Sequence, residues 1–126
     1  MRIRVYYEDT DCGNVVYYAN YLKFMERSRT EYLRERGIDL LEYHEKGYLF
    51  AVVEVHVKYR RAARYNDLLE VESSLRELSS LSMLIDNTIK DQNGKLLATG
   101  EVKLVCIGPK GKACRIPREI ADALAD

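Results

Sequence analysis

Asp11 is the residue best placed to do chemistry, because it lies in an acidic loop directly before a long predicted helix. The loop covers residues 8–14 and reads Glu-Asp-Thr-Asp-Cys-Gly-Asn, so Asp11 stands three residues before Asn14. The first turn of a helix leaves about four backbone N–H groups unpaired and carries a positive partial charge. A carboxylate facing such an end can attack a carbonyl or activate water, while the N–H groups hold the developing oxyanion. The arrangement suits acyl transfer, although spacing alone favours a cap or turn role for Asp11.

The other residue types exclude several catalytic classes. His44 and His56 are the only histidines, and they do not form a His-x-x-x-His pair that would indicate zinc. The chain has no Gly-x-Ser-x-Gly elbow, no Walker motif and no dinucleotide-binding glycine pattern. We therefore expect the chemistry to rest on carboxylates, hydroxyls and backbone groups, with no metal and no bound cofactor.

Composition and charge limit the partners and the compartment. The 126 residues, with 47% hydrophobic side chains, fit a single globular domain over 1–126. Twenty Lys and Arg balance twenty Asp and Glu, which argues against a nucleic-acid partner. No apolar run approaches the ~20 residues of a membrane span, and the N-terminus lacks a signal-peptide core. The odd set Cys12, Cys106 and Cys114 has no metal spacing, which favours a reduced, cytoplasmic location.

The spacing of the apolar residues predicts the helix and strands that must position Asp11. Apolar residues at helical spacing predict a helix over 17–36, and Gly37 stands where a helix-ending glycine belongs. Ile3, Val5 and Tyr7 alternate with polar residues or tyrosine and predict a short first strand with one buried face.

The second half of the chain changes to a period of two, which predicts four strands. The residues on the apolar side of these alternations are Val53, Val55, Val57 and Tyr59; Leu69, Val71, Ser73 and Leu75; Met83, Ile85, Asn87 and Ile89; and Leu96, Ala98, Gly100, Val102, Leu104 and Cys106. Asp91–Gly94 predicts a hairpin, 39–46 a short helix, and Pro117 the start of a helix over about 118–125. The fold class is α+β, a five-stranded antiparallel sheet with one long central helix. Because one helix cannot cover both faces of that sheet, the other face or a sheet edge is expected to meet another subunit.

Two stretches of the chain resemble a known family. Residues 6–27 read YYEDTDCGNVVYYANYLKFMER, and residues 57–71 read VKYRRAARYNDLLEV. Both are similar to hotdog-fold acyl-CoA thioesterases of the 4-hydroxybenzoyl-CoA thioesterase-like family, YbgC branch, and the resemblance covers nearly the whole chain. It implies a hotdog fold, in which an antiparallel sheet wraps around one long helix.

The resemblance implies roles for two residues near the helix start. Asp11 matches the catalytic aspartate, and Tyr18 matches the position whose backbone N–H polarises the thioester carbonyl. The family has glycine where Asn14 stands, and asparagine tolerates the positive φ of such a turn. Many relatives have histidine in place of Tyr18, so an imidazole role would be lost here while a backbone role would remain. Asn20 looks like an N-cap, which would leave Tyr18 outside the helix, but we follow the family and start the helix two or three residues earlier.

Basic residues near the end of the first long strand are candidates for binding the phosphates of coenzyme A. They are Lys58, Arg60, Arg61 and Arg64. The alternative is a solvated strand end that pairs with Glu70 and Glu72 of a neighbouring strand. On the helix, Glu26 is expected to be the structural partner of an arginine rather than a second carboxylate of the site.

The function predicted is hydrolysis of acyl-CoA to a free acid and coenzyme A by a homodimer or homotetramer, with Asp11 as nucleophile or general base. One alternative is a hotdog hydratase or dehydratase, whose acid–base pair commonly includes a histidine; neither histidine is near Asp11 in sequence. The other is a non-catalytic module that binds acyl carrier protein or a partner complex.

Overall fold

The computed structural model describes residues 1–125. These residues form β1 (Arg2–Arg4), a 3₁₀ helix (Tyr7–Asp9), α1 (Asn20–Glu35), α2 (Leu40–Glu45), β2 (Leu49–Tyr59), β3 (Leu68–Leu78), β4 (Ser82–Lys90), β5 (Leu96–Ile107) and α3 (Arg118–Leu124). The strands make one antiparallel sheet in the order β1-β3-β4-β5-β2, and α1 packs on one of its faces. The predicted hotdog architecture is confirmed.

The start of α1 corrects the sequence-based boundary. The helix begins at Asn20, so Tyr17, Tyr18 and Ala19 precede it and form a turn. The buried face is carried by Tyr21, Phe24, Met25, Ser28 and Leu33. The C-terminal end is as predicted, because Gly37 follows α1 with a φ of 80°.

Two hydrophobic clusters lie between α1 and the sheet. The first cluster comprises Ile3, Val5, Val16, Tyr21, Phe24, Met25, Ala63, Leu69, Val71, Ile89, Leu97 and Ala98. The second cluster comprises Leu33, Ile38, Met83, Ile85, Val102, Leu104, Cys106, Ile116, Ile120 and Leu124. The first lies under the N-terminal half of α1, and the second under its C-terminal end.

Small and polar residues let α1 approach the centre of the sheet. A Cβ added to Gly100 would lie 2.7 Å from the Met25 sulfur, so only glycine leaves room for that side chain. The Ser28 hydroxyl is 2.8 Å from that of Ser73, which also accepts a 2.6 Å hydrogen bond from the Asn87 amide. This network satisfies hydroxyl groups that would otherwise be buried without partners.

Two of the predicted strands differ from expectation. The first strand ends at Arg4, and Tyr7 lies in the 3₁₀ helix with its side chain exposed rather than buried. β2 begins four residues before Val53 and is an edge strand with an irregularity between Val52 and Glu54. Several of its apolar residues are therefore exposed in this chain, with Val53 57% and Val55 38% accessible, whereas Phe50 and Val57 are half-buried against the core.

The remaining strands and helices agree with the periods. Met83, Ile85, Asn87 and Ile89 are all buried on β4. The hairpin after β4 is closed by the Gly94 N–H, which donates to the Asp91 carbonyl at 3.0 Å. α2 is capped by the Asp39 side chain, and α3 directly follows Pro117.

Candidate active site

The loop that carries Asp11 folds back on itself before α1. Thr10 pairs with Val16 in an isolated antiparallel bridge, and the Asp11 N–H donates to the Val15 carbonyl at 2.9 Å. The Asn14 N–H donates to the Asp11 carbonyl at 3.1 Å, and Asn14 has a φ of 64°. The predicted left-handed turn at Asn14 is confirmed: asparagine adopts it where the family has glycine.

The Asp11 carboxylate lies at the surface and has one oxygen available. Its Oδ1 accepts a hydrogen bond from the Gly13 N–H at 2.8 Å. Among residues 1–125, Oδ2 has no hydrogen-bond partner, and the carboxylate accepts nothing from α1. The helix-capping role is therefore wrong, and the carboxylate is held by its own turn with a free oxygen facing solvent.

The Asp9 carbonyl fixes this loop against the start of α1. It accepts the Tyr17 N–H and the Asn20 side-chain amide, both at 2.9 Å. Asn20 is thus the first residue of α1 and a tether to the loop rather than an N-cap. The consequence is a fixed junction between the segment containing Asp11 and the turn containing Tyr18.

The turn that enters α1 contains two backbone donors, on Tyr18 and Ala19. Within the described chain, neither the Tyr18 N–H nor the Ala19 N–H has a hydrogen-bond acceptor. The helix proper begins at Asn20, so these donors belong to the entering turn and not to α1 itself. Two adjacent unpaired donors can bind an oxyanion.

Tyrosines from distant parts of the chain support the entering turn. The Tyr59 hydroxyl, at the end of β2, donates to the Tyr18 carbonyl at 3.0 Å, and the two rings meet edge to face. The Tyr21 hydroxyl accepts the Ala63 N–H at 2.9 Å, and burial raises the pKa of Tyr21. Neither Tyr59 nor Tyr21 was predicted as a positioning residue, since β-strand preference already accounts for tyrosines and no local signal joins positions 41 residues apart.

The Asp11 loop and the entering turn meet at Tyr17, whose N–H donates to the Asp9 carbonyl at 2.9 Å. The Tyr17 and Tyr18 ring centroids are 4.9 Å apart, and the Tyr18 side chain is the main cause that raises the pKa of Tyr17. The negative Asp11 carboxylate acts on that pKa in the same direction, with a smaller effect.

The basic segment after β2 also joins the loop. Arg64 pairs with Val15 in an antiparallel bridge, and the Val16 N–H donates to the Ala63 carbonyl at 2.8 Å. The Arg60 and Arg61 N–H groups both donate to the Leu97 carbonyl. The backbone of this segment therefore borders the candidate site.

The Arg60 side chain itself lies on the sheet face opposite α1. With His56 and Lys58 it lines a groove of about 520 Å³, in which Arg76 pairs with Asp86 and Glu101 at 2.9 and 2.7 Å. The structure thus brings Arg64 to the Asp11 loop but directs the Arg60 side chain to the outer face of the sheet.

The predicted alternative pairing of the basic residues is wrong. β2 is hydrogen-bonded to β5, not to β3, which carries Glu70 and Glu72. Glu70 instead lies 3.5 Å from the N-terminal amino group. Among residues 1–125, none of the four basic residues makes an ion pair: Lys58, Arg60, Arg61 and Arg64.

Glu26 is not a second carboxylate of this site. It is exposed, and its Oε1 accepts the Thr30 hydroxyl at 3.0 Å. Burial lowers the pKa of Arg29, and the charge of Glu26 opposes that shift. No ion pair between Glu26 and an arginine is present among residues 1–125, so the expected structural pairing is not found.

Residues 1–125 contain no group of three or more His, Cys, Asp or Glu side chains arranged to hold a metal ion. None of the helices in this part of the chain has the length and apolar character needed to cross a membrane.

Comparison with known proteins gives the class and then the family. The fold is that of the solved TT1821 protein of Thermus thermophilus (34% identity, TM-score 0.95, 99% and 95% of the two chains). It is also that of BH1999 gentisyl-coenzyme A thioesterase (28% identity, TM-score 0.91, 98% of each chain). The class is therefore a hotdog-fold thioesterase.

Residues 5–124 match the profile of the thioesterase-like superfamily, and the chain belongs to that family. The acyl-CoA thioesterase YbgC of Haemophilus influenzae is 40% identical over 125 residues, covering 96% of this chain and 90% of its own. The acyl-CoA thioester hydrolase YbgC of Escherichia coli O6:H1 is 37% identical over 119 residues, covering 94% and 89%. The resemblance found in the sequence is confirmed, and so is the interpretation of the chain as a thioesterase.

Proposed function

We propose that this enzyme hydrolyses acyl-CoA thioesters to the free carboxylic acid and coenzyme A. The observation that carries the proposal is that two segments joined at the Asp9 carbonyl hold unpartnered groups among residues 1–125: a carboxylate oxygen of Asp11 on one, and the N–H groups of Tyr18 and Ala19 on the other. The activities named for the two YbgC relatives support the choice of substrate class.

In the proposed reaction the backbone N–H of Tyr18 binds the thioester oxygen, with Ala19 as a second donor. As a general base, Asp11 takes a proton from water while the water oxygen attacks the carbonyl carbon. The tetrahedral oxyanion then collapses, the C–S bond breaks and the coenzyme A thiolate takes up a proton. As a nucleophile, Asp11 would instead attack the carbonyl carbon itself, so that the C–S bond breaks, coenzyme A leaves as the thiolate and takes up a proton, and water then hydrolyses the mixed anhydride to the free acid and the Asp11 carboxylate.

The nucleotide end of coenzyme A is assigned to the basic segment after β2. Arg60, Arg61 and Arg64 lack ion pairs among residues 1–125, so their charges are available to the phosphates. Arg64 borders the Asp11 loop directly through Val15, which makes it the best placed of the three.

The active form is proposed to be a homodimer or homotetramer built on the β2 edge. An edge strand presents unpaired N–H and C=O groups, and β2 adds exposed Val52, Val53 and Val55 to them. Antiparallel pairing with β2 of a second copy would cover both the polar edge and the apolar side chains.

Light scattering tests the assembly. The molecular mass measured for the wild-type protein should be an even multiple of the 14.6 kDa chain mass. Val55→Lys should shift the mass toward the monomer, whereas Leu41→Lys, at an exposed apolar position on α2, should not. A monomeric wild type at micromolar concentration would overturn the β2-edge dimer.

Coenzyme A release over a panel of acyl-CoA substrates, followed with a thiol reagent, tests the reaction. A thioesterase yields one thiol for each acid formed. Water addition to an unsaturated acyl group without thiol release would indicate a hydratase, and binding without turnover would indicate a carrier or partner-binding module.

A further inference from the structure

Cys106 and Cys114 lie side by side at the end of β5, far along the chain from the candidate active site. Cys106 is completely buried in the second cluster, whereas Cys114 is partly exposed. The Cys114 N–H donates to the Cys106 carbonyl at 2.9 Å, and the two sulfur atoms are 3.6 Å apart. Two thiols in contact across antiparallel backbone need only a small side-chain movement to bond.

The turn between the two cysteines holds them in this arrangement. The Gly108 N–H donates to the Lys112 carbonyl, and the Gly111 N–H donates back to Gly108, both at 2.9 Å. A Cβ added to Gly108 would lie 2.8 Å from the Cys114 sulfur. Glycine at position 108 therefore provides the space that the Cys114 side chain occupies.

We propose that Cys106 and Cys114 are a redox-modification site, which forms an intramolecular disulfide when the protein meets a low-molecular-weight disulfide such as oxidised glutathione. The third cysteine, Cys12, is exposed in the Asp11 loop and has no sulfur neighbour among the described residues. It serves as an internal control with a thiol but no partner.

The reaction proceeds by two thiol–disulfide exchanges. The partly exposed Cys114 thiolate attacks one sulfur of oxidised glutathione, forming a mixed disulfide and releasing one glutathione thiolate. Burial raises the pKa of Cys106 to about 12, so its thiol is poorly suited to make the first attack. Cys106 then gives up its proton and attacks the Cys114 sulfur, which releases the second glutathione. Two protein thiols are oxidised to one disulfide, and one glutathione disulfide is reduced to two thiols.

The bond would join β5 to the segment that leads into α3. Ile116 in that segment, and Ile120 and Leu124 in α3, pack into the second cluster. Closing a short loop restricts the unfolded chain, so the oxidised protein should resist unfolding better than the reduced protein. The expected readout is a rise of several degrees in Tm.

The experiment compares wild type with Cys12→Ser, Cys106→Ser and Cys114→Ser. Each reduced protein is incubated with oxidised glutathione, denatured, alkylated and weighed by mass spectrometry, and its Tm is measured before denaturation. Cys12→Ser should lose both of its alkylatable thiols without gaining glutathione, wild type should lose the same two with any bound glutathione confined to Cys12, and both should gain Tm. Cys114→Ser should form no intramolecular disulfide and show no gain.

Two results would overturn the proposal. One is wild-type protein that keeps three alkylatable thiols after oxidation or holds stable glutathione on Cys114. The other is a disulfide that disappears in Cys12→Ser, which would assign it to a contact between chains. Because Cys106→Ser places a hydroxyl in the core and can fail to fold, the exposed-side variant Cys114→Ser decides the outcome.

Discussion

The two clusters beneath α1 are completed in different ways. At the second cluster, α2 and α3 close the end of the sheet, and Ile120 and Cys106 have no exposed surface. At the first cluster, the exposed side chains of Tyr17, Tyr18 and Tyr59 stand at the rim instead. The Asp11 Oδ2 and the Tyr18 and Ala19 N–H groups, which have no hydrogen-bond partner among residues 1–125, lie at this open rim. The proposed chemistry is thus confined to one end of α1, whereas a buried core lies under both ends, so a change at the second cluster should affect stability without affecting the chemistry.

Asp11→Asn should be the most severe change at the open end. It removes the only charged group proposed to act on the thioester, so kcat should fall by about 10²- to 10⁴-fold while Tm is unchanged. The steady-state rate of thiol release measures the effect. Glu8→Gln, the same change of charge at an exposed position in the neighbouring 3₁₀ helix, is the control and should stay active. Near-wild-type turnover by Asp11→Asn, once deamidation is excluded by mass spectrometry, would remove Asp11 from the mechanism.

Tyr18 should matter through its backbone. Tyr18→Pro removes one N–H donor, and losing an oxyanion donor costs about 10²- to 10³-fold in kcat. Tyr18→Phe keeps the donor and should remain within a few-fold of wild type.

Both Tyr18 variants are compared by kcat, with circular dichroism as the check on folding. A large loss in Tyr18→Phe would show that the hydroxyl takes part in the chemistry. An active, folded Tyr18→Pro would move the oxyanion site to the Ala19 N–H.

Ile120→Ala tests the other end of α1, where α2 and α3 cover the second cluster. Removing this buried side chain should lower the free energy of unfolding by about 2–5 kcal/mol, as large-to-small core changes do. Urea denaturation measures the loss, and kcat per folded molecule at low temperature should be unchanged. A parallel fall in kcat would show that the two ends are mechanically coupled.

The smallest effect is expected from the basic segment, and it separates two arginines. Arg64→Glu should raise KM for acyl-CoA by about tenfold, because it removes a charged contact with phosphate. Arg60→Glu should raise KM less, since its side chain lines the outer groove. A short thioester without the nucleotide should be hydrolysed normally by both, and a larger effect at Arg60 would place the nucleotide across the outer face.

Local patterns were sufficient to predict most of the fold. Alternation over Met83–Ile89 identified β4 because both neighbours of that strand are present in the same chain. The same alternation on β2 wrongly predicted that Val53 and Val55 are buried. A two-residue period shows which side chains share a face of a strand, but it does not show whether that strand lies at the edge of the sheet. The helix start was wrong by three residues, because the resemblance was followed at a point where the residue type of Asn20 favoured a later start.

The candidate site was predictable only where its residues are consecutive. Asp11 and Tyr18 both lie in the stretch 6–27, and the resemblance of that stretch to the family identified both residues. Tyr59 and the Leu97 carbonyl reach the site through strand pairing, which a single sequence does not specify. The separation of the Arg60 side chain from Arg64 was missed for the same reason.

The strand order also fixes a sequence of events during folding. β1 pairs with β3, and β2 pairs with β5, so neither of the first two strands can join the sheet through its nearest neighbour in the chain. The hairpins β3–β4 and β4–β5 have the shortest loops to close and should form earliest. The Arg60 and Arg61 N–H groups can bond to the Leu97 carbonyl only after β5 is present, and the Val16 N–H can bond to the Ala63 carbonyl only after residue 63 is present. A nascent polypeptide therefore cannot complete the contact between Val16 and Ala63, or that between Arg60 and Leu97, until the later residue of each pair has left the ribosome.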